Sequence, residues 1–123
     1  MRYTVTPFTL SDATLAADPM AMISREGRHV VQAMAGYDER QPIETDVDDP
    51  HAACEMAWRI YQNIDDNHVT PDGRRSLMTG DMARVTDAGG REEWWICCSM
   101  GWSETRRPGI GSVEVHGPKR GRG

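Results

Sequence analysis

Two short apolar segments joined by a glycine-rich stretch constrain the fold of this chain more than any other feature. The first covers residues 82–86 and follows a turn at Gly80 and Asp81, and the second covers residues 93–100. The stretch between them reads DAGG at residues 87–90, a composition typical of tight turns between strands. We therefore predict an antiparallel β-hairpin.

The second segment of this hairpin has the pattern of a central strand. One face is continuously apolar and the other is partly so: Trp94, Ile96, Cys98 and Met100 alternate with Trp95, Cys97 and Ser99. Because side chains of a strand point alternately to its two faces, both faces should be covered by other parts of the protein. Gly101 and Trp102 are expected to end the strand.

Residues 50–64 form the clearest helical pattern in the chain. Asp49 is an N-cap, Pro50 occupies the first helical position, and no glycine interrupts the segment. Apolar side chains recur at helical spacing and predict one buried stripe: Ala53, Met56, Ala57, Ile60 and Ile64, widened by Trp58 and Tyr61. The following VTPDGRR predicts a turn, beyond which Leu77 is expected to anchor in the core.

The N-terminal region predicts one strand and short helical segments. Residues 3–8 alternate as a strand, in which Pro7 indicates an edge position or a strand end. Residues 19–26 are expected to form a helix with Asp18 as its N-cap, preceded by a turn of helix at 12–17.

Two further strands are predicted before the main helix. Residues 28–37 fit either a strand or a helix, and the β-branched pair Val30 and Val31 favours the strand. Residues 43–47 alternate apolar and acidic side chains, as in a half-exposed strand. We expect these two segments to pair as a hairpin through the DERQP turn.

Together these segments predict an α+β fold: a small antiparallel sheet, one main helix at about 50–64 packed on it, and a short N-terminal helix. A chain of 123 residues suits one domain that buries roughly two-thirds of its unfolded surface. We place this domain at residues 1–105. Residues 106–123 are basic and rich in glycine, proline and arginine, so we expect a largely disordered tail in which only 111–115 would add a short edge strand.

Charge is distributed unevenly along the chain. The net charge is −5, and nine acids stand against two bases between residues 38 and 66. An acidic surface repels phosphate, which argues against nucleic-acid binding by the folded body and favours a protein partner with a basic surface. The residues predicted to form this partner-binding acidic patch are Asp38, Glu39, Glu44, Asp46, Asp48, Asp49, Asp65 and Asp66.

No motif for catalysis, nucleotide binding or metal binding occurs, and we predict no catalytic residues, no metal site and no cofactor. The acidic run from Asp46 to His51 lacks the glycine and the glutamate that a calcium loop needs. Cys54, Cys97 and Cys98 are odd in number, which argues against a secreted disulfide framework and favours buried free thiols. The last two should point to opposite faces of their strand.

Two alternatives stay open. In the first, Arg106, Arg107 and the basic tail bind nucleic acid together with exposed tryptophans that stack on bases. In the second, the chain is an enzyme or a metal protein, and the residues of its site are Asp46, Asp48, His51 and Cys54.

Residues 54–104 have a distinctive layout: a helix, a turn, a Ser-Leu-x-x-Gly-Asp stretch entering a strand, and an aromatic strand followed by Gly-Trp. The positions that carry it are Ser76, Leu77, Gly80, Asp81, Trp94, Trp95, Gly101 and Trp102. In these positions the chain resembles the YodL-like domains of bacterial plasmids and phages, and short uncharacterised proteins of actinobacteria and their phages. The resemblance implies an accessory protein of a mobile element, without catalytic residues, that counters host defence.

The resemblance and the acidic region together predict an inhibitor that binds a basic, nucleic-acid-facing surface of a host protein, such as a nuclease or CRISPR-type defence complex. We expect it to act in the cytoplasm of the host cell, because the sequence shows neither an 18-residue apolar run nor a signal peptide. A homodimer formed through an unpaired sheet edge is also left open.

Overall fold

The computed structural model of the chain describes residues 1–22, 28–62, 70–99, 101–111 and 113–116. These residues form an antiparallel sheet of six strands, a longer helix packed across it, a short helix near the N-terminus and a separate two-stranded sheet, which confirms the predicted α+β fold. In chain order the elements are β1 (Arg2–Leu10), α1 (Asp12–Ala17), a 3₁₀ turn (Pro19–Met22), β2 (Arg28–Val31), a second 3₁₀ turn (Met34–Gly36), β3 (Tyr37–Glu39), β4 (Ile43–Asp46), α2 (Pro50–Tyr61), β5 (Met82–Asp87), β6 (Glu92–Cys98), β7 (Gly101–Thr105) and β8 (Val113–His116).

Strand β1 is an inner strand of the six-stranded sheet. It pairs with β5 on one side, and on the other side with β4 along its first half and with β3 along its second half. The prediction that Pro7 marks a sheet edge or a strand end is therefore wrong. The carbonyl of Pro7 accepts a hydrogen bond from the Arg40 amide (2.8 Å), so its ring nitrogen faces the gap between β3 and β4, where no N–H is required of it.

The predicted hairpin forms from β5 and β6, with Gly90 at a φ of +87° in its turn. Strand β6 is central, as predicted, because β7 pairs along its other side. The prediction that Gly101 and Trp102 end this strand is wrong, since both belong to β7. The chain reverses after Cys98, and Gly101 lies opposite it with a φ of +122°, a backbone conformation that favours glycine.

Helix α2 packs on one face of the sheet, called the helix face below. Asp49 caps it by accepting a hydrogen bond from the Ala52 amide (2.8 Å), as predicted. Four of its residues are buried: Ala53, Cys54, Ala57 and Tyr61. The predicted stripe is wrong at Met56, which is 39% exposed, and Ile64 lies outside the described residues. The two small alanines let the helix approach the sheet closely, and close packing decides which side of the helix turns inward.

The opposite face of the sheet, called the second face below, is covered over one half by N-terminal segments. Its core joins residues of the sheet to residues of these segments: Phe8, Leu10, Tyr37, Met82, Trp94, Ile96 and Cys98 pack with Leu15, Ala21, Val31 and Met34. The predicted hairpin between 28–37 and 43–47 does not form. Strand β2 pairs with β8, while β3 and β4 follow one another along the nine-residue β1, which is long enough to satisfy both.

The first N-terminal helical segment forms with its predicted bounds, and the second is described only at its start. The helical turn expected at 12–17 is α1, whose N-cap is Ser11. The helix expected at 19–26 begins as a 3₁₀ turn, in which the Asp18 carboxylate accepts a hydrogen bond from the Met20 amide (3.1 Å). Residues 23–27 lie outside the part of the chain that the structure describes.

An ion pair with a fully buried carboxylate holds the loop before β5 against the sheet. The guanidinium of Arg75 donates to both carboxylate oxygens of Asp81 (2.9 Å each), and the amides of Leu10 and Met78 donate to the same oxygens (2.8 Å each). The Asp81 side chain is fully buried, so these four hydrogen bonds replace its lost hydration. Leu77 in this loop is 2% exposed, which confirms its predicted place in the core.

A second pair holds the beginning of the same loop. Arg40 donates to both carboxylate oxygens of Asp72 (2.7 Å each), and its guanidinium lies over the Tyr61 ring at 5.0 Å from the centroid. These hydrogen bonds keep the pKa of the Asp72 carboxyl well below its usual range. Arg40 is therefore a buried structural residue and contributes nothing to the charge of the surface.

Gly80 permits the closest approach in this region. Its φ is +98°, and a Cβ atom there would lie 2.8 Å from the Ala21 carbonyl oxygen and 2.9 Å from Cδ1 of Leu10. The Ser-Leu-x-x-Gly-Asp stretch thus has a structural role: its leucine fills the core, its glycine allows contact with the N-terminal segment, and its aspartate binds Arg75.

The region predicted to be a basic tail is described at 106–111 and 113–116. The Gly109 carbonyl accepts a hydrogen bond from the Met34 amide (2.9 Å), and Val113–His116 forms β8. The edge strand expected at 111–115 is thus present, although it pairs with β2 rather than with the six-stranded sheet. Residues 117–123 lie outside the described residues. Among the helices that the structure describes, none has the length and apolar character to cross a membrane.

Candidate protein-binding surface

The predicted acidic residues are divided between the two faces of the sheet. Asp38 lies on the helix face, where Arg74 donates a hydrogen bond to its carboxylate (2.9 Å). Glu39, the next residue of β3, is exposed on the second face. Asp65 and Asp66 fall outside the described ranges.

Strand β4 presents two carboxylates at the edge of the second face. Glu44 accepts a hydrogen bond from the Thr4 hydroxyl (2.8 Å), and Asp46 lies 3.2 Å from the N-terminal amine, with both acids exposed. Their neighbours Ile43 and Thr45 are buried on the helix face. The predicted alternation of this strand is therefore confirmed, and it directs the two carboxylates to solvent.

The segment between β4 and α2 carries the last two described acids of the patch. Asp48 is exposed, whereas the Asp49 carboxylate caps the helix. Four acids along and just beyond the β3–β4 edge are exposed and are not caps, and we call them the acidic edge: Glu39, Glu44, Asp46 and Asp48.

Two rows of residues cross the second face beside the acidic edge. One row of directly opposite residues crosses four strands there: Glu44, Thr4, Thr86 and Glu92. The neighbouring row crosses from β1 to β7: Thr6, Arg84, Trp94 and Thr105. We call these two rows the Arg84 rows; Thr6 and Trp94 in them are buried, and the other six residues are at least partly exposed.

Arg84 is the cation within these rows. It is half-buried, and its guanidinium carbon lies 5.4 Å from the ring centroid of Phe8 and 6.0 Å from that of Trp94. Sequence reasoning missed this residue. The sequence signal for it is its position two residues after the apolar Met82, which places both side chains on the same face of the strand.

The residues of the alternative metal or catalytic site do not come together. In the part of the chain that the structure describes, no group of three or more histidine, cysteine, aspartate or glutamate residues is placed to hold a metal ion. Cys54 is fully buried, and burial raises the pKa of its thiol. His51 lies 3.4 Å from the Glu55 carboxylate and faces the Trp95 ring, with 5.5 Å between centroids.

The other two cysteines are also buried free thiols, as predicted. Cys97 belongs to the core on the helix face and Cys98 to the core on the second face. Burial raises the pKa of Cys97 to about 12 and that of Cys98 to about 11. Because the thiolate is the reactive form, burial disfavours reaction at both sulfurs.

The tryptophans are packed into the cores and form no open stacking platform among the described residues. Trp94 and Trp102 are each 6% exposed and lie on opposite faces of the sheet. Trp58 and Trp95 are half-buried against the core of the helix face. Base stacking needs exposed rings, so the packing of these tryptophans disfavours a stacking surface among the described residues.

A pocket of about 460 Å³ opens beside α2 on the side of the sheet that is farther from the acidic edge. Trp58 and Trp102 line it, together with Thr79 and the turn between β6 and β7. Its volume is in the range of small-molecule sites. No sequence pattern indicates this pocket, because its walls come from three separate segments.

Comparisons of the chain with protein-family models, with curated proteins and with solved structures found no match. The resemblance to YodL-like domains therefore stays a prediction. In this structure its residues act in packing and turns: Leu77 and Trp102 fill one core, Trp94 fills the other, and Asp81 holds the loop before β5.

Proposed function

We propose that this chain is a small, non-enzymatic protein that binds another protein through the acidic edge. The observation that carries the proposal is the line of exposed carboxylates from Glu39 to Asp48 at one side of the sheet. In a chain with a net charge of −5, this line favours a partner with a basic surface, because complementary charge steers the encounter and fixes its orientation.

We further propose that the chain is an accessory protein of a phage or another mobile element, that it acts in the host cytoplasm, and that its partner belongs to a nuclease or CRISPR-type defence complex. The resemblance to YodL-like domains supports this assignment. A protein surface that binds nucleic acid is rich in lysine and arginine. Carboxylates held in a rigid line would occupy such a surface in place of phosphates and so inhibit it.

Co-purification of the tagged chain from its native host, followed by surface plasmon resonance with the partner obtained, tests the proposal. The double variant Glu44→Lys/Asp46→Lys should associate about tenfold more slowly or worse, because steering acts on the association rate. The matched control is Glu55→Lys/Glu104→Lys, which changes the net charge equally at exposed positions of α2 and β7. It should associate much as the wild type does.

Two results would contradict the electrostatic mechanism. One is a partner that is retained equally at low and at high salt, since exposed charges are screened within about 10 Å at 0.1 M salt. The other is an equal loss of association rate in the two double variants, which would show that net charge acts and that the acidic edge does not.

A further inference from the structure

Among the arginines whose side chains the structure describes, Arg84 differs from the two others that the fold partly or fully buries. Arg40 and Arg75 each donate to both oxygens of a carboxylate. Arg84 is half-buried, yet within the described part of the chain it forms no ion pair, and its Nε atom is buried without a hydrogen-bond partner. The chain has 19 acids, so this missing partner is not explained by a lack of carboxylates.

Two aromatic rings hold the Arg84 side chain in place of a carboxylate. The rings of Phe8 and Trp94 contact each other with 5.1 Å between centroids, and the guanidinium lies within about 6 Å of both, as in cation–π pairs. A guanidinium ordered in this way loses little freedom when it pairs with a planar anion. Because Nε is buried, the donors available to an outside ligand are those of the two terminal nitrogens.

The surroundings of Arg84 indicate which anion it would bind. Its direct neighbours on the same face are uncharged: Thr6, Trp94, Thr86 and Met82. Glu92 is a diagonal neighbour, at a typical separation of about 7–8 Å, and Glu44 lies farther along the adjacent row. These acids repel a multiply charged phosphate. They attract lysines and arginines, so a single carboxylate within a basic segment matches the whole surface.

We propose that Arg84 is the recognition site for one aspartate or glutamate of the partner, flanked there by basic residues that face Glu44, Asp46 and Glu92. This inference rests on the proposed function and narrows it, because the partner surface must be basic with an acid at its centre. Charge-assisted pairs of this planar geometry fix orientation as well as affinity.

Titration of the full chain with two matched peptides tests the inference. The peptides are acetylated and amidated Lys-Lys-Glu-Lys-Lys and Lys-Lys-Gln-Lys-Lys, with affinity and the Arg84 side-chain N–H signal followed by NMR. The glutamate peptide should bind about tenfold more tightly, as expected for one charge-assisted pair, and should move that signal. This preference should vanish in Arg84→Gln, survive in part in Arg84→Lys, and stay unchanged in the control Arg107→Gln.

Each other outcome overturns the inference in a distinguishable way. If the wild type binds both peptides with equal affinity, Arg84 is not a carboxylate site. If Glu44→Lys/Asp46→Lys then binds the glutamine peptide more weakly than the wild type does, the proposed function still stands. A preference that persists in Arg84→Gln places the site elsewhere. Tighter binding of inorganic phosphate than of acetate at Arg84 would show a phosphate site. If neither peptide binds, the inference fails, and co-purification of the native partner judges the proposed function separately.

Discussion

Replacement of Asp81 by alanine should destabilise the fold more than any other single substitution of an acid among the described residues. Its fully buried carboxylate accepts two hydrogen bonds from Arg75 and one each from the amides of Leu10 and Met78. Removal of one member of a buried ion pair costs about 3–5 kcal/mol, because the other charge loses its partner. The buried Leu10 amide would also lose its hydrogen-bond acceptor, so the loss should lie toward the upper end of this range.

This loss is large for a domain whose total free energy of unfolding is typically about 5–15 kcal/mol. Urea unfolding followed by tryptophan fluorescence measures it directly, and the melting temperature should fall by about 10–20 °C. Asp81→Asn keeps the shape of the side chain but removes its charge and one of its two acceptor oxygens, so it should lower the free energy of unfolding by less than Asp81→Ala does. The exposed Asp12→Ala is the control and should change stability by only about 0.5 kcal/mol. A loss below about 1 kcal/mol for Asp81→Ala would refute the structural role assigned to the ion pair.

Variants of glycine and aspartate and a pH series on the cysteines test other parts of the fold. Gly80→Ala should lower the free energy of unfolding by about 2–4 kcal/mol, because its new methyl group would lie 2.8 Å from a backbone oxygen. Gly90→Ala, with nothing within 4 Å of the new methyl group, should lower it by only about 1 kcal/mol, and the urea midpoints of the two variants compare these losses. Since burial raises the pKa values of Cys97 and Cys98 above the ordinary 9.0, the unfolded state alone releases these protons at first, and the free energy of unfolding should fall as pH rises from about 9. The lowered pKa of Asp72 has the opposite effect on stability. The stabilisation by this carboxylate is present above about pH 4 and is lost as pH falls further. In acid titrations, Asp72→Asn should therefore lose less free energy of unfolding with falling pH than the wild type does.

Each of these predictions has a clear contrary result. Equal losses in the two glycine variants would mean that the contact at Gly80 is not tight. Fast reaction of the thiols with Ellman's reagent in the native protein, or stability that is constant up to pH 11, would mean that the cysteines are accessible. An unchanged acid profile in Asp72→Asn would assign the acid sensitivity to other carboxylates.

The acidic edge and the Arg84 rows share Glu44 and lie side by side on the second face, so one partner surface can contact both. The pocket beside Trp58 and Trp102 lies at the other side of the sheet, next to β7. Substitution of Trp58 should therefore leave association with an electrostatically bound partner unchanged, and it separates the two surfaces in binding experiments.

Local patterns in the sequence determined the elements whose geometry depends on near neighbours. Asp49 and Pro50 set the start of α2, the DAGG stretch set the turn between β5 and β6, and alternation set which side chains of β4 face solvent. Each of these features involves residues within about one helical turn or one tight turn of each other. The acidic edge was predictable for the same reason at Glu44 and Asp46.

Only the tertiary structure decided which segments meet. The Leu10 amide and the Asp81 carboxylate are 71 residues apart in the chain, and Arg40 and Asp72 are 32 apart, so no local pattern indicates either contact. Pro7 can lie in an inner strand because β1 pairs on that side with two short strands, β3 and β4, and Pro7 lies between the two pairings. Strand pairing and charge pairing depend on the packing of the whole chain, and this is why the site at Arg84 could be recognised only from its surroundings in the fold.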